Sequence, residues 1–376
     1  MDYSKPSIAL HKKYRGKIEI RSKIRLKNKT DLSLAYTPGV AAVSSAIGRD
    51  KKLSWRLTNR ANQVAIVTDG TAILGLGNLG PEAAMPVMEG KAAIFKEFAG
   101  VDAIPLCLST AETEEIIKFC KYIEPSFGGI NLEDISAPRC FEILTRLEKE
   151  LSIPVFHDDQ DGTAIVVLAA LINACKVSGK AMKNLRIAVN GAGAAGIAIA
   201  RLIMTVGVGD LILSDSQGII YSGREGLNPN KREIAEQTNK KKIKGGLAEA
   251  MIGADVFIGV SKGNLITAEM VKSMKKDPII FAMANPTPEI MPDLAIKAGA
   301  AIVGTGRSDF PNQINNALVF PGLFRGLLDH KVRQVTTKIK IRAAMALAGV
   351  VKPDKNQLLP LATGKRAVKA IAKVVR

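Results

Sequence analysis

The stretch LRIAVNGAGAAGIAIARLIM (185–204), followed by LILSD (211–215), decides the fold. An apolar run of strand length enters Gly191-Ala192-Gly193-Ala194-Ala195-Gly196 and continues as a helical pattern. Gly191, Gly193 and Gly196 keep the G-x-G-x-x-G spacing. The first glycine makes a tight turn, the second lets backbone approach a pyrophosphate, and the third lets the helix pack close to the strand. Asp215 closes the next apolar run, where a carboxylate meets ribose hydroxyls. The bare spacing is a weak signal, and the strand before it, the helix after it and the acid at the next strand end make it a dinucleotide fingerprint. Ser216 and Gln217 follow Asp215 with no Arg or Lys immediately after. That leans toward NAD, and a basic residue elsewhere leaves NADP open.

Working outward, apolar runs at 255–260, 278–284 and 300–304 alternate with helical segments and continue a doubly wound Rossmann-type sheet. Upstream, runs at 64–68, 101–108, 128–132 and 153–156 alternate with helices in the same way. The fold expected is therefore α/β: an N-terminal α/β domain with a mostly parallel sheet (1–160), an NAD(P)-binding domain (161–325), and C-terminal helices (326–376) packing back on the first domain. A helix over 163–177 joins the two sheets. Residues 17–26 (KIEIRSKIRL) alternate apolar and charged, which predicts a half-buried strand. Gly75, Gly77 and Gly80 repeat the glycine spacing, but the following strand carries its acid, Asp102, at its start. This second loop is read as packing under the N-terminus of a helix opened by Pro81.

Composition narrows the class. Of 376 residues, 47% are hydrophobic and 23% charged, which excludes a disordered chain. Cys107, Cys120, Cys140 and Cys175 form no CxxC pair, which argues against a disulfide scaffold or a cysteine zinc site. The opening MDYSKPSIAL lacks the pattern of a secretory signal, and no run of 18 residues is uninterruptedly apolar, so a cytoplasmic protein without a membrane span is expected. The net charge of +18 is spread over 12–29, 231–244 and 365–376 without interleaved aromatics. It reads as a lysine-rich solvated surface rather than a nucleic-acid platform.

Two acidic pairs sit just past predicted strands: Glu133-Asp134 and Asp158-Asp159. Open α/β sheets place ligands at such strand ends. Carboxylates converging there repel unless a cation shares them, and an oxygen-only set selects a hard ion, Mg²⁺ or Mn²⁺. Helix capping by Asp134 or Asp159, in solvated turns, is the other reading of the same residues. His11, His157 and His330 show no ligand spacing.

Seven blocks, in one order, carry a family likeness: SLAYTPGVA (33–41), VTDGTAILGLGNLG to MEGKAAIFK (67–96), INLEDISAP (130–138), FHDDQDGTA (156–164), NGAGAAGIA (190–198), MANPTPEI (283–290) and PNQINNALVFPG (311–322). Together they resemble the malic enzymes over nearly the whole chain, and the length resembles the short bacterial and archaeal form. The resemblance implies oxidative decarboxylation of (S)-malate to pyruvate and CO₂ with NAD or NADP and a divalent cation, in a homodimer or larger assembly. It implies Tyr36 as general acid, Lys91 as general base, and Glu133, Asp134 and Asp159 as metal ligands. Asp158 is implied as the lysine's tuning neighbour, and Asn285 with Asn315 or Asn316, Asn316 slightly preferred, as contacts to substrate or nicotinamide. Asp161 stands where His or Gln is often expected, adding negative charge beside the metal set. A malolactic enzyme shares these motifs, and an idle, nucleic-acid-binding protein is a remoter alternative suggested by the charge.

Overall fold

The computed structural model describes residues 3–376. Four strands form the first sheet: β1 (Gln63–Thr68), β2 (Asp102–Cys107), β3 (Gly129–Leu132) and β4 (Val155–His157). Their order is β2-β1-β3-β4, all parallel. Pro105 lies in β2, an edge strand, where a missing N–H costs no ladder bond on the open side. The second sheet holds β5 (Arg186–Asn190), β6 (Asp210–Asp215), β7 (Gly218–Ile219), β8 (Val256–Gly259), β9 (Ile279–Ala282) and β10 (Ile302–Thr305). Its order is β10-β9-β8-β5-β6-β7, parallel except for β7. The chain reverses direction of growth between β5 and β8, the switch point at which such sheets bind nucleotides. β7 is an addition to the predicted strands. It pairs back on the end of β6 because Gly218, at φ 109°, permits the reversal.

The Thr163–Ser178 helix runs between the two units. It is buried on nearly every face, with the Ala194–Thr205 helix on one side and the Thr337–Ala348 helix on the other. Together with the preceding turn it makes a continuous segment, Asp158–Ser178, long and apolar enough by length and composition to cross a membrane. Here 72% of that window is buried inside the protein, so its apolarity serves the core.

The C-terminal helices cover the first sheet. The Phe320–Asp329 helix packs on the Pro81–Ala99 helix through a cluster of rings, with Phe95 and Phe320 centroids 4.7 Å apart. Phe324 meets Phe95 and Phe156 edge-on at 5.4 and 5.9 Å. Gly322 and Gly326 let the Lys365–Val374 helix lie against this one; a Cβ at Gly326 would come within 2.6 Å of the Val375 Cβ.

Residues 17–26 form no strand. Alternation supplies two chemically different faces, but a strand also needs a neighbouring sheet edge. Lys17 donates its N–H to the Glu89 carboxylate at 3.2 Å instead, and Ile20 is 95% exposed. Much of the preceding and following chain likewise carries exposed apolar side chains, including Ile8, Tyr14, Leu34 and Tyr36.

The ring cluster ties three elements together, so Phe324→Ala is expected to cost about 3–5 kcal/mol. Denaturant unfolding of the variant against the parent chain measures this; a loss under about 1 kcal/mol would mean the cluster is not the joint between these elements.

Candidate active site

The acidic pairs lie where the parallel sheet ends. Glu133 and Asp134 follow β3, and Asp158 opens a five-residue π turn, Asp158–Gly162, directly after β4. Such wide turns inside helices recur at functional sites. A Cβ at Gly162 would lie 1.8 Å from the Asp158 Oδ1, so a larger residue there would have to displace the carboxylate that Lys91 holds. Asp134 is held at φ 52°, a left-handed conformation uncommon outside glycine. Its N–H donates to Asp159 Oδ2 at 2.9 Å, which joins the two pairs. One oxygen each from Glu133, Asp134 and Asp159 lie within 4.8 Å of one another. Asp134 Oδ2 is buried without a hydrogen-bond partner.

Lys91 reaches this cluster from the Pro81–Ala99 helix. Its ammonium bonds Asp158 Oδ2, lies 2.9 Å from Glu133 Oε2, and sits 4.1 Å from the centroid of Phe320. Burial disfavours the charged lysine, but Asp158 and Glu133 outweigh it and hold the proton more tightly than usual. The carboxyls respond in the opposite sense. Burial, with Asp159 adding repulsion, pushes Asp134 up to about 8. Burial also raises Asp158 to about 6 against the pull of Lys91, and Glu133 well above the carboxylate range. Asn131 steadies Glu133 with a 3.1 Å hydrogen bond. His157 is fully buried, with both ring nitrogens unbonded and Nδ1 3.8 Å from Asp159 Oδ2; burial pushes its pKa below the ordinary imidazole value against the pull of Asp159.

Lys91, Phe320, Glu133, Asp134 and Asp159 line a cleft of about 620 Å³, with Asp158, Asn131 and His157 buried behind it. Lys91, Glu133, Asp134 and Asp159 form one wall; Ala195, Val260 and Ser261, beside the glycine turn, form another. Asn285, Asn315 and Asn316 complete the far side. The Asn315 side chain is taken up by capping Ala317 N at 2.8 Å, whereas that of Asn316 makes no hydrogen bond among the described residues. The second glycine loop also reaches the cleft. Leu74 and Gly75 line it, and a Cβ at Gly75 would lie 2.8 Å from the Asn285 carbonyl oxygen.

Tyr36 does not join them. It caps the Lys29–Ala35 helix, is 68% exposed, and is absent from the residues lining this cleft.

At the glycine turn, Gly191 takes φ 112° and Gly196 packs so tightly that a Cβ there would fall 1.6 Å from the Gly191 carbonyl oxygen. Asp215 stands at the end of β6, adjacent to this turn. Both its oxygens are engaged: Arg224 bonds each at 2.8 Å and Lys231 bonds Oδ2 at 2.6 Å. Burial alone would raise this carboxyl, but these donors hold it below its ordinary value. Neither basic residue follows a local motif, so sequence reasoning missed both.

Two family models divide the chain. Residues 15–148 match the malic enzyme N-terminal domain and residues 160–375 the malic enzyme NAD-binding domain. The chain belongs to the malic enzyme family. A bifunctional malic/malolactic enzyme of Bacillus subtilis is 54% identical, covering 100% of this chain and 92% of its own. An NAD-dependent malic enzyme of Geobacillus stearothermophilus is 52% identical over 96% of this chain and 76% of its own. The crystal structure of an NAD-dependent malic enzyme from Thermotoga maritima superimposes with a TM-score of 0.95 at 47% identity, covering 98% of each chain. The chain is thus an NAD(P)-dependent malic enzyme with a Rossmann-type nucleotide domain.

Gly196→Ala must push helix from strand, so NADH and NADPH binding, measured by the fluorescence of their reduced nicotinamide, is expected to fall about tenfold or more while the chain stays folded. Unchanged binding would mean that the turn does not cradle the pyrophosphate.

Proposed function

We propose that this malic enzyme converts (S)-malate to pyruvate and CO₂ with Lys91 as general base, Tyr36 as general acid and a divalent cation held by Glu133, Asp134 and Asp159. The observation that carries this is the buried ammonium of Lys91, bonded to Asp158 and Glu133 in the same cleft as the glycine turn. The oxygen-only donor set, the unpartnered Asp134 oxygen and the upward-shifted carboxyls fit a hard ion such as Mg²⁺ or Mn²⁺. When bound, the ion supplies Lewis acidity for the enolate charge left as CO₂ departs.

The residues of this chain do the rest. Lys91 takes the C2 hydroxyl proton at Nζ while hydride leaves C2 for the nicotinamide. For that it must first be neutral. In the metal-free cluster Asp158 and Glu133 keep that proton on the lysine; a cation shared by Glu133, Asp134 and Asp159 would draw off their negative charge and shift Lys91 toward its neutral form. Tyr36 then returns a proton to C3. Its exposure outside its own cleft, on a segment rich in exposed apolar side chains, supports supply of the phenol by a second copy of the chain in a homodimer. At the nucleotide end, Asp215 with Arg224 and Lys231 carries one net positive charge. This suits the 2′-phosphate of NADP, so the trio supports acceptance of both nicotinamides. The bifunctional malic/malolactic relative of Bacillus subtilis favours one second reading, malolactic turnover to lactate. Absorbance at 340 nm with malate and NAD separates them, since only oxidative decarboxylation accumulates NADH.

Lys91→Ala is expected to abolish malate oxidation and keep NAD(P) binding, and Tyr36→Phe to impair pyruvate formation more than reduction of oxaloacetate. Mixing the two inactive variants should restore part of the activity, because one site of a mixed dimer then holds both intact groups. Near-normal rates in either variant would remove its assigned role, and failure of the mixture would remove the shared site.

A carboxyl raised on folding stabilises the protonated form, so metal-free stability falls as pH rises from its unfolded value of about 4 through the folded value of about 8 for Asp134. Cation binding over that window should tighten with pH and release protons. Calorimetry in two buffers of different ionisation heat reads the number released, and zero release at pH 6 would contradict the cradle.

A further inference from the structure

The π turn is tied down residue by residue. Asp158 bonds Lys91, Asp159 accepts from Asp134 N–H, and Gln160 donates to the Cys140 carbonyl at 3.3 Å. The remaining tie is Asp161, the residue that departs from the family pattern. It does not add free negative charge to the site. Lys340 Nζ, from the Thr337–Ala348 helix, lies 2.6 Å from its Oδ1, with the two side chains only 18% and 9% exposed. Glu148 of the Arg139–Glu150 helix faces the same pair. The second Asp161 oxygen is buried without a partner, so Lys340 supplies the hydrogen bond and the charge that this carboxylate has. Among the described residues, no other hydrogen bond or ion pair to the turn comes from the C-terminal helices.

We propose that Lys340, through its ion pair with Asp161, is a positioning residue that fixes the register of the 158–162 turn, aiming Asp158 at Lys91 and Asp159 at the cation cradle. The proposal rests on reading Glu133, Asp134 and Asp159 as that cradle. Removing one member of a buried pair leaves a stranded charge that draws in water and moves the backbone; removing both with similar shape does not. Coulomb's law makes the test discriminating. Loss of a positive charge near a cation site would by itself tighten cation binding. Loss of a positioning contact loosens it, by about 10–100-fold for supporting contacts of metal ligands.

The measurement is Mn²⁺ binding to the full chain, read without substrate from the electron paramagnetic resonance of free Mn²⁺. Lys340→Met and Asp161→Asn should each weaken binding about tenfold or more, Lys340→Arg should stay within about twofold, and the Lys340→Met/Asp161→Asn double variant should recover most of the loss. NAD(P) binding should be unmoved in all four. Unchanged or tighter Mn²⁺ binding in Lys340→Met, or losses that multiply in the double variant, would overturn the proposal. If Lys340→Met does not fold, the arginine and double variants decide alone. A parent chain that binds no Mn²⁺ would show instead that the cradle reading has failed.

Discussion

Four carboxylates, Glu133, Asp134, Asp158 and Asp159, meet at the ends of two adjacent parallel strands, and one buried ammonium, Lys91, stands among them. Everything near the cleft is arranged around that imbalance. Asp134 is bent into a left-handed conformation so that its N–H can serve Asp159. The helix start after β4 is widened to a π turn, with glycine at 162 leaving room for the Asp158 carboxylate. Phe320 gives the lysine an aromatic face where water would otherwise stand. A folded chain accepts such a concentration of charge only by protonating some of it or by sharing it with a cation, and the upward shifts of Asp134 and Asp158 record the first option.

The second constraint is steric. The 1.6 Å between a notional Cβ at 196 and the Gly191 carbonyl means that strand β5 and the helix after it touch backbone to backbone. That contact brings the start of the helix, with its unpaired N–H groups, to the mouth of the sheet. The same closeness puts Ala195 on the cleft wall opposite Lys91, so the tight turn and the acidic cluster face one space.

Where local pattern determines structure, it was legible. The nine longer strands fall on the apolar runs, and the helix read over 163–177 spans Thr163–Ser178. The acidic pairs could be placed at strand ends because a parallel sheet fixes which end faces ligand. What was not legible depends on partners that lie outside the local motif. Asp161 looked like an uncompensated charge because Lys340 lies on a different helix, and Asp215 looked open to ribose because Arg224 and Lys231 return from a later loop and helix. The alternation at 17–26 reads as a strand by periodicity, yet no property of the segment reveals whether a sheet edge exists to receive it.

That segment also joins stability to chemistry. Apolar side chains in solvent gain about 25 cal/mol per Å² when covered, so an arm bearing Ile8, Tyr14, Ile20 and Leu34 is driven to associate. Tyr36 lies in the same stretch, which lines its own cleft through Ser7, His11 and Lys17 while Tyr36 itself stays exposed outside it. Under the proposal that a second copy supplies the phenol, covering the arm and completing the site would be one event. On that proposal the free energy that covers the apolar arm would also bring the proton donor to C3, and a chain that dissociated would lose its acid while keeping its lysine, its carboxylates and its nucleotide turn.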